Sequence, residues 1–141
     1  MAKDIFHEAA KQALINDGWT VTHDPFHLNY FGKDLYIDLG AERLIAAQKE
    51  NELIAVEVKS FISASLVYDF HLAMGQYLNY VRALQRKDPN RVLYLAITEF
   101  VYNSFFTHED VQDSLAYHRV NMIIFNDNDN ANPVVVYTIK H

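Results

Sequence analysis

Between Leu53 and Thr98 the chain changes its hydrophobic period twice, and this constrains the fold more than any other feature. Leu53 to Phe61 (LIAVEVKSF) reads as a strand whose side chains alternate between two faces. From Ser65 to about Lys87 the period is helical. Leu66, Phe70, Ala73, Tyr77, Val81 and Leu84 recur at threes and fours, and Asp88-Pro89-Asn90 ends the run. Arg91 to Thr98 (RVLYLAIT) is then apolar almost without a break, as in a strand covered on both faces. Strand, long helix and doubly buried strand in succession predict a parallel crossover.

The flanking segments fit around that unit. Lys3 to Asp17 reads as an amphipathic helix with Ile5, Phe6, Ala9, Ala13 and Leu14 on its apolar side, stopped by Asn16-Asp17-Gly18. Trp19 to Thr22 is a short β-rich run that ends at Asp24-Pro25. Gly32-Lys33 is a turn, and Leu35 to Leu39 resumes extended structure with Tyr36 and Asp38 on one face. Arg43 to Gln48 has helical propensity. Because Lys49 to Glu52 looks like a hairpin turn into LIAVEVKSF, the segment is taken as a strand, giving an antiparallel meander of three strands. After the apolar strand come a helix from about His108 to Tyr117, a strand from Val120 to Phe125, a polar turn from Asn126 to Asn132 and a closing strand from Val134 to Ile139. The Asp/Asn pattern of that turn lacks the downstream Glu of a calcium loop and reads as a plain turn. The order predicts a single α/β domain over residues 1–141, with a mixed central sheet flanked by helices.

Composition narrows the chemistry. There are no cysteines among 141 residues, which excludes disulfides, thiol nucleophiles and cysteine metal sites. The start, MAKDIFHEAAKQAL, is too charged for a secretory signal, and no apolar run is long enough to span a bilayer, so a cytoplasmic protein is expected. A net charge of −6 argues against a nucleic-acid-coating role, yet permits local contact with DNA through a metal ion.

Glu57 and Lys59 stand two apart on LIAVEVKSF and project from one face. By themselves they could be a surface ion pair or half of a metal-dependent phosphodiesterase site. Asp38 lies nineteen positions before Glu57, on the arm that a hairpin folds back beside it. Gln76 and Tyr80 are one helical turn apart on the long helix, and Glu8 lies on the first helix near its core face. Phosphodiester cleavage builds negative charge on the scissile phosphate, which a divalent cation offsets while lowering the pKa of its bound water. Mg²⁺ takes one or two carboxylates and keeps waters or phosphate oxygens for the rest, so Asp38 and Glu57, with the Val58 carbonyl, form a plausible set. Lys59 would orient the attacking water and offset charge. The seven histidines, including His23, His27, His71 and His108, show no metal-ligand spacing and read as structural or surface residues. Ser60, Ser63 and Ser65 read as loop and helix-cap residues, and Arg82 with Arg86 as an i,i+4 pair able to touch a phosphate backbone.

Asp38 followed by Glu57-Val58-Lys59, in the order helix, meander, helix, strand, resembles the restriction-endonuclease-like PD-(D/E)XK superfamily. Gln76-x-x-x-Tyr80 is similar to the motif of its RecB-like members, and Glu8 to the first-helix carboxylate of its Holliday-junction-resolvase-like members. The resemblance implies Asp38, Glu57 and Lys59 as catalytic core, Gln76 and Tyr80 as supporting residues, Glu8 as an optional ligand, and Mg²⁺ or Mn²⁺ as cofactor. Ile37, where the superfamily's motif has proline, departs from the pattern. The segments MAKDIFHEAAKQALINDGWT, YIDLGAERLIAAQKE, IAVEVKSF, GQYLNY and RVLYLAI together resemble the XisH family, the fdxN-element excision controlling factors of cyanobacteria. That resemblance implies action on DNA during programmed element excision, with a site-specific recombinase and an XisI-like protein as partners. A catalytically silent regulator on a nuclease fold is the alternative, and a homodimer through the C-terminal strand is open.

Overall fold

The computed structural model describes residues 4–126 and 132–141. Residue 3 of the expected first helix and residues 127–131 of the polar turn lie outside the described residues. The first helix, α1 (His7–Asn16), is followed by Gly18 at φ 95°, a left-handed position that glycine takes without strain. Trp19 N–H then donates back to the Leu14 carbonyl at 3.0 Å, closing the helix end.

Among the described residues eight strands follow, in two sheets. The larger contains β1 (Thr20–His23), β4 (Leu39–Ile45), β5 (Glu50–Val58), β6 (Arg91–Thr98), β7 (Met122–Asn126) and β8 (Val134–Ile139), in that spatial order. Pairing is antiparallel from β1 through β4 to β5, parallel from β5 through β6 to β7, and antiparallel again at β8. The parallel step is made by α2 (Leu66–Lys87), whose N-terminus is capped by the Ser65 hydroxyl accepting from Tyr68 N–H at 3.1 Å. The expected mixed α/β architecture is therefore present.

Alternation along the strands sorts the core into two layers. Leu93, Leu95 and Ile97 of β6 join Ala55 and the α2 residues Ala73, Met74 and Tyr77 on one face. Tyr94 and Ala96 join Ile54, Val56, Val58 and the α1 residues Ala10, Ala13 and Leu14 on the other. This double covering explains why β6 reads as an unbroken apolar run.

Three segments depart from the sequence expectation. The three-strand meander is interrupted by a separate hairpin of β2 (Phe26–Tyr30) and β3 (Lys33–Ile37). Leu35 to Leu39 is thus no continuous strand. The chain leaves one sheet at Ile37 and enters the other at Leu39, with Asp38 at the break. The hairpin turns Phe26, Leu28 and Ile37 into the α2-side core, so its period-2 pattern FHLNY was a buried strand between two turn signals. The turn before β5 also falls earlier than expected, over residues 46–49. After β6 the chain does not loop directly to the next helix. It forms α3 (Glu99–Val101) and a π-helical turn (Tyr102–Phe106) before α4 (Glu109–Tyr117). The Thr98 hydroxyl accepts from Val101 N–H at 3.3 Å and starts that segment. No helix among the described residues is long and apolar enough to cross a membrane.

Candidate functional site

Asp38 and Glu57 meet where the chain changes sheets. The Asp38 carboxylate accepts from Val58 N–H at 2.7 Å, and Asp38 N–H donates to Glu57 Oε1 at 3.2 Å. These two bonds hold the strand break against the end of β5, and they fix both carboxylates side by side. Val58 thus enters the site through its N–H. Glu57 is only 7% exposed, on the α2 side of the sheet, so the solvated surface-pair reading of Glu57 and Lys59 does not hold. Lys59 Nζ lies 3.5 Å from Glu57 Oε2, and its own N–H is tied to the Ala96 carbonyl at 3.0 Å. The ammonium is held by the strand end that carries the carboxylate.

The electrostatics are unbalanced. Burial, followed by the Asp38 charge, pushes the Glu57 carboxyl up to about 8 even though Lys59 pulls it down. Two adjacent carboxyl groups with one ammonium, which contacts Glu57, make a local excess of acidic groups around a buried oxygen pair. Tyr80 on α2 is half-buried and close enough to feel both. Burial first, then Glu57 and Asp38, raises its phenol to about 12. Gln76, one turn earlier, is exposed and hydrogen-bonds to neither carboxylate among the described residues. Of the expected helix pair, the structure brings Tyr80 to the site and leaves Gln76 beside it in solvent.

Sequence reasoning missed His7. Its ring is 2% exposed, Nε2 lies 2.7 Å from Asp24 Oδ1, and Nδ1 faces Asp38 Oδ1 at 3.9 Å. That Nδ1 is buried and has no hydrogen-bond partner among the described residues. Asp24 also accepts from Lys11 Nζ at 2.8 Å. Burial alone would raise the Asp24 carboxyl, but the Lys11 and His7 hydrogen bonds outweigh it and hold the group below its usual range. An ionised Asp24 favours the tautomer with the proton on Nε2, which leaves the Nδ1 lone pair toward Asp38. Glu8 is exposed and gathers with His7 and Asp24, their ligand atoms lying within 4.8 Å of one another. The only local signal was His7 and Lys11 at i,i+4. Asp24 is brought in by β1, which no spacing rule reveals.

The donor set suits a hard divalent cation. Two carboxyl groups lie side by side, one of them pushed toward its neutral form, and a buried imidazole nitrogen without a hydrogen-bond partner among the described residues faces Asp38. Asp38 and Glu57 could hold such an ion, and a cation there would return Glu57 to its ionised form.

The family model described as XisH protein matches residues 1–132. The chain belongs to the XisH family. Two crystal structures of XisH relatives match it over nearly its full length. One, an XisH family protein from Nostoc punctiforme PCC 73102, is 39% identical with a TM-score of 0.85, covering 97% of this chain and 100% of that one. The other, an fdxN element excision controlling factor protein from Anabaena variabilis, is 37% identical with a TM-score of 0.84, covering 98% and 100%. No curated protein matches the chain. The XisH resemblance read from the sequence is thereby shown.

Proposed function

We propose that this XisH-family chain carries a PD-(D/E)XK-type endonuclease site and acts on DNA during element excision by Mg²⁺- or Mn²⁺-dependent phosphodiester hydrolysis. The observation that carries the reading is the buried Glu57 carboxylate, fixed against Asp38 by the Val58 and Asp38 N–H bonds, with Lys59 Nζ at 3.5 Å. The order of elements supports it: a mixed sheet with α1 on one face and α2, bearing Tyr80, on the other. The printed description of the Anabaena variabilis relative as an excision controlling factor supports the biological setting.

In this reading Asp38, Glu57 and, from α1, His7 or Glu8 would hold the cation, which when bound would supply charge neutralisation at the phosphate and a more acidic water. Lys59 keeps its ammonium beside Glu57, where it offsets charge growing on the phosphate and orients a water through its remaining N–H donors. The Tyr80 phenol, held protonated at neutral pH, donates to a phosphate oxygen or a water near the carboxylates. The buried wall behind Glu57 keeps other water from competing.

The test is cleavage of duplex, single-stranded, nicked and four-way-junction DNA with Mg²⁺ or Mn²⁺. Asp38→Asn, Glu57→Gln and Lys59→Ala should each lower the rate by at least about 100-fold, the loss typical of a preorganised charged group. If the wild type cuts none of these substrates with either metal, the catalytic reading fails.

A net charge of −6 favours a second reading, in which the chain works through protein contacts with a site-specific recombinase or an XisI-like partner. It predicts that a folded Lys59→Ala variant still supports excision. Loss of excision in that variant would return the argument to catalysis.

A further inference from the structure

The tip of the β2–β3 hairpin has a chemistry that the carboxylate site does not use. Tyr30 pairs with Lys33 across a two-residue turn, Phe31-Gly32, whose φ angles are both positive at 57° and 69°. This turn class favours Asn-Gly, because asparagine tolerates the left-handed region and bulky residues do not. Phe31 nevertheless occupies the strained position and is 75% exposed. Its ring centroid lies 4.1 Å from that of Tyr30. Strain and exposed apolar area both oppose phenylalanine here, and among the described residues the Tyr30 ring contact is the one aromatic contact that offsets them. Its use lies outside the molecule.

Beside this tip an open groove of about 780 Å³ runs to the C-terminal end of α2, lined by His27, Asn29, Tyr30, Phe31, Arg86 and Lys87 among others, with no carboxylate in its wall. Arg82 stands one turn before Arg86, both are exposed, and neither forms a salt bridge among the described residues. Like charges at i,i+4 repel, so this pair is locally unfavourable until an anion joins it. Lys87 is anchored at the groove wall, donating to the His27 carbonyl and lying 4.9 Å from the centre of the Phe26 ring. In a chain of net charge −6, this is a local surplus of positive charge next to a presented aromatic pair. Tyr80 lies six residues before Arg86 on the same helix, an axial offset of about 9 Å at the usual rise, so a bound strand several nucleotides long covers that distance along α2.

We infer that this groove binds a DNA strand leading to the carboxylate site, its phosphates on Arg82, Arg86 and Lys87 and an unpaired base stacked on Phe31. The occupant is a nucleic acid because aromatic stacking and phosphate pairing coincide there. Intact duplex buries its bases, so a forked or branched DNA suits an exposed ring better. The inference rests on the DNA reading above and extends it to recognition.

The experiment is fluorescence anisotropy with forked, single-stranded and duplex DNA in EDTA, over a series of salt concentrations, using Asp38→Asn as background. Forked DNA should bind at least about tenfold tighter than duplex. Arg82→Gln with Arg86→Gln should lower the log–log salt slope by about 1.5, the loss of two phosphate contacts. Phe31→Asn should weaken forked DNA by about tenfold through lost stacking, leave duplex binding nearly unchanged, and hold or raise Tm, since asparagine suits the turn. A 2-aminopurine at the fork should be quenched by the parent and not by Phe31→Asn. The inference is overturned if no DNA binds in EDTA, if these substitutions leave affinity and salt slope unchanged, or if Phe31→Asn instead dissociates a dimer. DNA binding that depends on the groove without cleavage by the wild type would uphold it while sinking the nuclease reading. Cleavage whose KM is indifferent to the groove would do the reverse.

Discussion

Replacing Glu57 by glutamine should stabilise the metal-free protein at high pH and lose that advantage by about pH 5.5. The buried carboxyl is pushed from its ordinary 4.5 to about 8, first by burial and then by Asp38. A folded-state value above the unfolded one means that stability is complete below 4.5 and is lost as pH rises through about 8. At about 1.4 kcal/mol per pH unit, that interval amounts to about 5 kcal/mol. Glutamine keeps the acceptor for Asp38 N–H but places an NH₂ opposite Lys59 without a partner, which costs about 1–2 kcal/mol. The net expectation is a gain of about 3 kcal/mol at pH 9, shrinking to about zero at pH 5.5. For a chain of 141 residues this is an increase of roughly 9 °C in Tm at pH 9.

The assay is urea and thermal unfolding of both proteins in EDTA between pH 5.5 and 9.5. The difference between them as a function of pH cancels every titrating group they share. Adding Mn²⁺ should then raise the wild type more than Glu57→Gln, because only the wild type gains an ionised ligand. A difference that stays flat with pH, or a glutamine variant less stable at pH 9 by the same amount as at pH 5.5, would refute the claim that Glu57 is buried under an uncompensated charge.

Three further expectations come from groups outside the carboxylate pair. Asp24→Asn should destabilise by about 1–3 kcal/mol near neutral pH, since Asp24 holds both His7 and Lys11. Because the folded Asp24 titrates below its unfolded value, that deficit should vanish as pH falls below about 3.8, a window open to chemical denaturation in acid. Tyr77→Phe should cost about 1–3 kcal/mol in urea unfolding. It leaves Asn121 N–H without the phenol oxygen at 2.9 Å, while the Leu93 carbonyl keeps the Asn121 side chain at 3.2 Å. Ser65→Ala should cost about 1 kcal/mol by removing the α2 cap, with faster amide exchange confined to the first turn of that helix.

What could be read in the sequence was whatever depends on period and punctuation. The bounds of α2 and β6 were legible because Ser65, Asp88-Pro89 and an unbroken apolar run mark them. Asp38, Glu57 and Lys59 were legible as neighbours because strand alternation and the β4–β5 hairpin bring residues 38, 57 and 59 to one end of the sheet, although the break at Asp38 was not. The β2–β3 excursion was not, since FHLNY is short and lies between two turn signals that read together as one loop. Nor was the partnership of His7 with Asp24 and Asp38. It depends on α1 crossing the sheet beside the strand break, and no local pattern encodes that crossing. The seven histidines looked alike in sequence. Burial and an unpartnered Nδ1 set one of them apart.

The hairpin that escaped detection is also what makes the site possible. Were β3 and β4 one strand, as the pattern LYIDL suggests, residue 38 would lie within a ladder with its N–H in the plane of the sheet and its side chain perpendicular to it. Inserting β2 and β3 forces the chain to leave one sheet and enter another at Asp38. Freed from a ladder, its N–H turns to Glu57 and its carboxylate to Val58 N–H. The same insertion projects Phe31 at its far end, beside Arg86 on the helix that carries Tyr80. One excursion therefore positions a carboxylate at its base and an aromatic ring at its tip. Lengthening the hairpin near Phe31 should separate the two roles. With two residues added to each strand, so that the facing is kept, the ring moves by about 7 Å along the strand direction while the Asp38–Glu57 contact stays in place. If Mn²⁺ affinity survives that insertion while the preference for forked DNA is lost, base and tip act as independent parts of one device. If Mn²⁺ affinity falls as well, the hairpin acts as a single strut and the division argued here is wrong.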